Sequence, residues 1–109
     1  MGREAREVEL RLFVAGDRGP SARARRELEG LRVEFEGIDW RVEVIDVLER
    51  PDLAEAMGIV ATPVLIRVVP APRRGIIGDL GDWQTVAEVL ELGPGRGRQP
   101  GKPDETAGG

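Results

Sequence analysis

The first half of the chain changes its hydrophobic period twice. In Val8–Val14 apolar side chains alternate with charged ones, and this period of two indicates a strand. From Ser21 to Phe35 the apolar positions recur at helical spacing, with Ser21 as the predicted N-cap and Gly37 as the predicted stop. Alternation returns in Asp39–Leu48, which predicts a second strand that becomes more buried as it proceeds. Strand, helix and strand in this order predict a right-handed parallel crossover, and therefore an α/β domain.

The second half predicts one more helix, a hairpin and a last helix. Pro51–Met57 is expected to be a short helix, because proline suits a first helical turn and a glycine follows the segment. The apolar runs Pro63–Val69 and Arg73–Leu80 are separated by a stiff Pro-Ala-Pro turn and are close enough to pair antiparallel. Asp82 is the predicted cap of a last helix that ends at Gly93.

The predicted order βαβ-α-ββα is that of thioredoxin-like domains, in which the sheet is sandwiched between helices. In that fold a cis proline opens the third strand, and Thr62-Pro63 occupies this place in the sequence. A cis bond here is implied by the likeness to that fold, since only about 5–6% of X–Pro bonds in folded proteins are cis. An ordinary trans proline at the start of a strand is the alternative.

The chain contains no cysteine and no histidine. This composition excludes thiolate nucleophiles, disulfides, zinc sites of the Cys/His kind and imidazole acid–base chemistry. Asp46 and Asp52 are separated by a turn, but no further ligand falls at useful spacing, so no metal site is expected. The groups that remain for chemistry are carboxylates, hydroxyls and arginine, and no cofactor or metal is expected.

Charge and hydropathy limit the partners. The net charge is −4, with 15 arginines and one lysine, which argues against general nucleic-acid binding. The first residues alternate charged with apolar side chains, so neither a signal peptide nor a membrane span is expected, and the location is expected to be cytoplasmic. Gly93–Gly109 holds 6 glycines and 3 prolines in 17 residues and is predicted to be a disordered tail after a domain of residues 1–92.

Four blocks of sequence carry a resemblance to a known family. They read LFVAG, PSARARREL, VIDVLERPDLAEAMGIVATPVL and PAPRRGIIGDL, and they span residues 12–80 in this order. Together they resemble the KaiB family of bacterial clock proteins. The resemblance implies a non-enzymatic timing protein that binds the hexameric KaiC ATPase and modulates its phosphorylation cycle and output signalling. A histidine kinase of the SasA type or a KaiA-like protein is the further partner that it implies.

The resemblance also implies two folds, a ground-state tetramer in equilibrium with a thioredoxin-like monomer that binds KaiC. Pro63, Gly75 and Gly78 are the candidate switch residues, because glycine weakens strand and helix alike and prolines punctuate the same segment. Glycines that simply permit turns and a bulge are the alternative interpretation.

The candidate partner-binding residues are Arg23, Arg73, Arg74 and Asp79. Arg73-Arg74 suits an acidic partner surface, because arginine binds carboxylates bidentately; a solvated edge that discourages sheet association is the alternative. Arg23 matches the first-helix block of the family and is expected on an exposed face. Asp79 is expected to cap the turn before the last helix, or else to pair with one of these arginines.

A second class of function stays open at this point. A thioredoxin-like stress-signalling domain, or a domain that binds a small ligand such as glutathione without redox activity, has the same predicted fold. The missing cysteine weighs against redox catalysis in either case.

Overall fold

The computed structural model describes residues 6–93, and within them it confirms the predicted order of elements. The elements are β1 (Arg6–Val14), α1 (Pro20–Glu34), β2 (Ile38–Asp46), α2 (Pro51–Met57), β3 (Val64–Val69), β4 (Arg74–Ile77) and α3 (Trp83–Leu90). The predicted tail lies outside the described residues, apart from Gly93.

The four strands form one mixed sheet in the order β2-β1-β3-β4. β1 and β2 are parallel, with Val8 opposite Trp40, so the predicted parallel pairing is confirmed. β3 runs antiparallel to β1, and β4 runs antiparallel to β3, with Leu65 opposite Ile76. The first strand of the chain therefore lies inside the sheet, whereas β2 and β4 form its edges.

Helices cover both faces of the sheet. The main core packs α1 and α3 against one face, and its fully buried side chains include Leu10, Leu12, Leu28, Leu31, Leu65, Val86 and Leu90. A smaller cluster on the other face, made by Phe13, Ile45, Val64 and Ile66, packs against Leu53 and Met57 of α2. Each fully buried aliphatic side chain contributes about 1.5–3 kcal/mol relative to exposure, so the larger cluster dominates the stability of the domain.

The prediction for the ends of α1 was wrong at both. The helix begins at Pro20, and the N-cap residue is Gly19, which offers no side chain to bond the first turn. Proline tolerates this start because it has no N–H that needs a partner. Ser21 lies inside the helix and is buried; its hydroxyl accepts from the Ala15 N–H at 3.0 Å and donates to the Ala15 carbonyl at 3.1 Å. The helix ends at Glu34, before Gly37.

The second strand is also shorter than predicted. β2 ends at Asp46, and the following apolar residue Leu48 is 70% exposed instead of deeply buried. The Asp46 carboxylate accepts the Leu48 N–H at 3.0 Å, which is a local turn that competes with strand geometry. The apolar run therefore continues past the end of the strand.

The last helix begins as predicted and ends early. Asp82 accepts the Thr85 N–H at 3.2 Å, which confirms the predicted cap. The helix ends at Leu90, before the predicted Gly93, and its C-cap residue Glu91 adopts the left-handed conformation at φ +58°. This conformation is unusual for a residue with a side chain.

Candidate partner-binding surfaces

Four of the seven predicted site residues surround one small pocket. Arg23 comes from the first turns of α1, Pro63 precedes β3, and Gly78 and Asp79 follow β4. The pocket has a volume of about 180 Å³, and Pro20 and Glu27 complete its lining. We call it the Pro63 pocket. It forms because the antiparallel pairing of β3 and β4 returns the chain after Ile77 to the start of β3.

Backbone geometry fixes the wall that Pro63 and Gly78 share. The Thr62-Pro63 peptide bond is cis, as the likeness to thioredoxin-like domains implied. The Gly78 N–H donates to the Pro63 carbonyl at 3.1 Å, so the residue after β4 is tied to the entry of β3. Gly78 has a φ of +100°, a conformation that L side chains rarely adopt.

The turn after β4 is held by two carboxylates. Asp79 accepts the Gly81 N–H at 2.7 Å, so the structure shows the local turn contact and not an ion pair with Arg73 or Arg74. Glu27 of α1 accepts the Leu80 N–H at 3.1 Å. The sequence analysis missed Glu27. Its spacing of four residues from Arg23, which places both on one helix face, was the available signal.

Arg23 presents an exposed guanidinium at the mouth of the Pro63 pocket. The pocket therefore combines one exposed cation with carboxylates that are already committed to backbone donors. Such a surface suits recognition of an acidic or polar partner group, because an exposed guanidinium binds carboxylates through charge-assisted hydrogen bonds.

The structure does not bring Arg73 and Arg74 to this pocket. They lie at the opposite end of β4, and Arg74 precedes Gly78 by four residues, about 13 Å along a strand. The Arg74 guanidinium lies 3.2 Å from a carboxylate oxygen of Glu91, and Arg73 contacts the Met57 sulfur at 3.1 Å. Gly75, within β4, packs against the Ile66 side chain. The predicted residues thus form two separate surfaces.

Arg67 is a second residue that the sequence analysis missed. The residue is 1% exposed, and its side chain lies on the face of β3 that α3 covers. Its guanidinium donates to the carbonyls of Leu90 and Pro72 at 2.7 Å each. It also lies 3.7 Å from the Glu91 carboxylate. A charged residue in an otherwise apolar strand was the available signal. Arg67 ties the turn that carries Arg73 and Arg74 to the end of α3. In that turn the Val69-Pro70 and Ala71-Pro72 bonds are also cis.

Asp46 and Asp52 serve local structure. Backbone N–H groups of Gly16, at 3.1 Å, and of Leu48 lower the pKa of Asp46, because they stabilise its ionised form. A two-point contact with Arg50 lowers the pKa of Asp52 in the same way. Among residues 6–93 no group of three or more potential metal-ligating side chains was found. No helix in the same range is long and apolar enough to cross a membrane.

A mixed sheet covered by helices on both faces, with a cis proline before β3, defines a thioredoxin-like domain, and this one contains no cysteine. The match to known sequences is more specific. The KaiB domain model matches residues 11–92, and the chain belongs to the KaiB family.

Curated relatives support this assignment. The chain is 49% identical to the circadian clock oscillator protein KaiB of Synechococcus elongatus over 84 residues, which cover 76% of this chain and 81% of the relative. The protein of the same name from Acaryochloris marina is also 49% identical over 84 residues, which cover 76% and 80% of the two chains.

Solved structures agree on the fold. The N-terminal domain of Synechococcus elongatus SasA superposes with a TM-score of 0.65 at 26% identity, covering 84% of this chain and 90% of that domain. Chloroplastic thioredoxin z superposes with a TM-score of 0.63 at 24% identity, covering 84% and 96% of the two chains. The second likeness shows the thioredoxin-like fold alone.

Proposed function

We propose that this chain is a non-enzymatic clock or timing protein that binds a KaiC-type hexameric ATPase and modulates its phosphorylation cycle and output signalling. The observation that carries the proposal is the family match over residues 11–92, together with relatives that are named circadian clock oscillator proteins. The action on KaiC comes from the family resemblance.

The two arginine-bearing surfaces support binding to a protein. Arg23 at the Pro63 pocket, and Arg73 at the far end of β4, are exposed and make no ion pair with another described residue. Exposed guanidinium groups form charge-assisted, bidentate hydrogen bonds with carboxylates. We therefore propose two contact surfaces, Arg23 with Asp79 at the Pro63 pocket and Arg73 with Arg74 at the far end of β4, and that the arginines meet acidic groups of the ATPase.

Chemistry at the Pro63 pocket supports a role without catalysis. A thioredoxin-like enzyme uses a thiolate next to the cis proline, and this chain has no cysteine and no histidine. The carboxylates near the pocket, Asp79 and Glu27, accept backbone N–H groups and are held in place. The proposed activity is therefore binding.

The likeness to the SasA N-terminal domain supports a second part of the proposal. Two domains of one fold offer similar surfaces, and this supports competition between the chain and a histidine-kinase sensor domain for the ATPase. A KaiA-like protein is the other proposed partner. The tetramer–monomer equilibrium and the second fold also remain proposals, and Pro63, Gly75 and Gly78 are the residues through which we propose they act.

The test is a reconstitution with the KaiC-type ATPase of the same organism. We expect the chain to co-elute with the ATP-bound hexamer in size-exclusion chromatography, and to change the time course of KaiC phosphorylation followed by gel mobility. Failure to bind at protein concentrations of tens of micromolar, over several hours at physiological salt, would contradict the proposal.

A parallel assay distinguishes the alternative function. We expect no insulin reduction above the buffer control and no binding of glutathione in isothermal titration calorimetry, because the chain lacks a thiol. Saturable glutathione binding together with no KaiC binding would support the small-ligand domain instead.

A further inference from the structure

The sulfur atom of Met57 is in contact with two arginine side chains. Met57 is the last residue of α2, and Arg11 of β1 brings a guanidinium nitrogen to 3.7 Å from its Sδ atom. Arg73, which directly precedes β4, brings a second guanidinium nitrogen to 3.1 Å. Met57 packs against the smaller core cluster and is partly exposed, so small solutes can reach its side chain.

Neither guanidinium group makes a hydrogen bond to an oxygen atom of residues 6–93. The carboxylates closest to Arg11 are those of Glu9 at 3.7 Å and Glu43 at 3.9 Å, and both lie beyond hydrogen-bond distance. Arg73 contacts only the Met57 sulfur among the side chains of this range. A thioether sulfur is a weak acceptor. Two cationic donors therefore lie beside Met57 without a strong acceptor.

We propose that Met57 is a site of reversible oxidation, and that Arg11 and Arg73 bind the oxygen atom of the resulting methionine sulfoxide. Oxidation converts the apolar thioether into a polar group whose oxygen accepts hydrogen bonds. This oxygen is attached directly to the sulfur atom that both guanidinium groups already contact. Hydrogen bonds from ionised donors are roughly twice as strong as those between neutral groups. Oxidation therefore replaces two weak contacts with two charge-assisted hydrogen bonds.

The oxidant in this proposal is a hydroperoxide, with hydrogen peroxide as the simplest case. A sulfur lone pair of Met57 attacks one peroxide oxygen, the O–O bond breaks, and the second oxygen leaves as water with both hydrogens. The sulfur loses two electrons and the peroxide gains two. A sulfoxide reductase that uses thiols returns the side chain to the thioether. The chain has no cysteine and one other methionine, Met1, so Met57 carries the only sulfur atom in residues 6–93.

The two arginines determine what the sulfoxide does to the fold. A polar sulfoxide that packs against apolar side chains normally disrupts a core, because its oxygen loses hydrogen bonds to water. Donors from Arg11 and Arg73 offset this loss, so the oxidised chain keeps its fold and holds Arg73 against α2. Because Arg73 is also a proposed contact with KaiC, oxidation withdraws it from that surface. This last link rests on the proposed function, and the test therefore uses the isolated chain.

The test treats the full chain with hydrogen peroxide and follows it by peptide mass spectrometry and two-dimensional ¹H–¹⁵N NMR. We expect one oxygen atom to be added at Met57, and the two methionine sulfoxide reductases, one for each sulfoxide epimer, to remove it. The Nε–Hε signals of Arg11 and Arg73 should shift clearly more than that of Arg74, which pairs with Glu91. Met57→Leu is the control for oxidation elsewhere, and in this variant peroxide should leave the arginine signals unchanged.

Variants that lack the donors test the role of the two arginines. In Arg11→Gln with Arg73→Gln, oxidation should lower the melting temperature by about 5 °C or more beyond its effect on the unmodified chain, because the sulfoxide oxygen lacks its donors. Arg18→Gln with Arg26→Gln is the matched control, since it removes the same charge at exposed positions. Arg73→Gln alone, at an exposed side chain, should show a smaller loss of the same sign and serves if the double variant does not fold.

Three results would overturn the proposal. Met57 could stay unoxidised while a methionine-containing peptide in the same tube is oxidised, which would show that the arginines protect the sulfur. Oxidation could shift the Arg73 and Arg74 signals equally, which would show that Arg73 does not bind the sulfoxide. Oxidation could also lower the melting temperature equally in the donor variant and in the matched control, which would show that the donors do not offset its cost.

Discussion

The guanidinium of Arg67 donates to the backbone carbonyl of Leu90 at 2.7 Å, and so satisfies an acceptor at the end of α3 from within the sheet. Helix C-termini leave carbonyls without intrahelical partners and carry partial negative charge, so a buried cation is well placed here. The same side chain donates to Pro72, which couples the proline-rich turn to α3.

Replacing Arg67 with Met should lower the free energy of unfolding by at least about 2 kcal/mol. The change removes two charge-assisted hydrogen bonds, each worth about 1.5–3 kcal/mol, and leaves the Leu90 and Pro72 carbonyls without this donor. Urea denaturation followed by circular dichroism measures the change. Arg74→Met is the control, because it removes only a partly exposed pair with Glu91 and should cost less than about 1 kcal/mol. Equal losses in the two variants would contradict this account of Arg67.

Gly30→Ala should destabilise the chain, although alanine has the higher helix propensity. The added Cβ would lie 2.6 Å from the Trp83 ring, so the ring must move. In a Trp83→Ala background the sign should reverse, and the same substitution should then stabilise by up to about 1 kcal/mol. A double-mutant cycle by thermal denaturation measures both values. The absence of any sign change would show that the ring does not set the choice of glycine.

Gly78→Ala should strain the turn at the Pro63 pocket, because L side chains rarely adopt the φ of +100° found there. The strain is conformational, since no neighbouring atom would clash with an added Cβ. We expect a loss of about 1–3 kcal/mol in the thioredoxin-like fold. If a second fold exists, the ratio of tetramer to monomer in size-exclusion chromatography should also change. Gly37→Ala is the control, since that site is open and its φ lies outside the left-handed region. One monomeric peak and one set of amide resonances in the unmodified and the Gly78→Ala proteins would argue against two folds in this chain.

Asp46 should make the chain sensitive to acid. Hydrogen bonds from Gly16 and Leu48 lower the pKa of Asp46 in the folded state. Its contribution to the free energy of unfolding is therefore fully present above the unfolded pKa of about 3.9, and it is lost as pH falls through the lower pKa of the folded state. In Asp46→Asn the melting temperature should therefore fall less steeply between about pH 4 and pH 2 than in the unmodified chain. Asp39→Asn, at an exposed strand position, is the control. Parallel curves for the unmodified chain and Asp46→Asn would contradict this role.

The two arginine surfaces should contribute separately to KaiC binding. Arg23→Ala and the pair Arg73→Ala with Arg74→Ala should each weaken affinity, because each arginine hydrogen bond to a charged group is worth about 1.5–3 kcal/mol. Since about 13 Å of strand separates Arg74 from the Pro63 pocket, their effects should add within about 0.5 kcal/mol. Biolayer interferometry at low and physiological salt measures affinity, and circular dichroism checks the fold. Unchanged affinity at low salt would remove the substituted residues from the contact.

Strong local patterns predicted the elements of the fold. The alternation in β1, the proline and glycine that bound α2, and the Asp82 cap act within a few residues, so the sequence displays them directly. The errors at the ends of α1 and α3 lie where a contact with a residue outside the helix decides the boundary. The Ser21 hydroxyl forms hydrogen bonds with the Ala15 backbone, so Ser21 lies inside α1 and does not cap it. Glu91 is the C-cap residue of α3, and its carboxylate forms ion pairs with Arg67 of β3 and Arg74 of β4.

The candidate site was predictable residue by residue but not as an arrangement. Arg23 and Asp79 were identified separately, 56 positions apart, and only the antiparallel return of β4 to Pro63 places them at one pocket. The same strand register places Arg73 and Arg74 at the end of β4 that is opposite to the Pro63 pocket. Glu27 and Arg67 were missed because their partners are backbone amide and carbonyl groups elsewhere in the fold, and the sequence alone does not show that these groups lie nearby.

The interior position of β1 has a consequence for synthesis. This strand leaves the ribosome before both of its neighbours, and Ile38–Asp46 and Val64–Val69 follow roughly 30 and 55 residues later. Until β3 has emerged, β1 lacks one of its two hydrogen-bonding neighbours, and long-range pairings of this kind slow folding. The nascent chain therefore passes through an interval in which an incompletely paired strand is exposed to other chains, and the charged residues of the strand, Arg6, Glu7, Glu9 and Arg11, are placed to discourage such encounters.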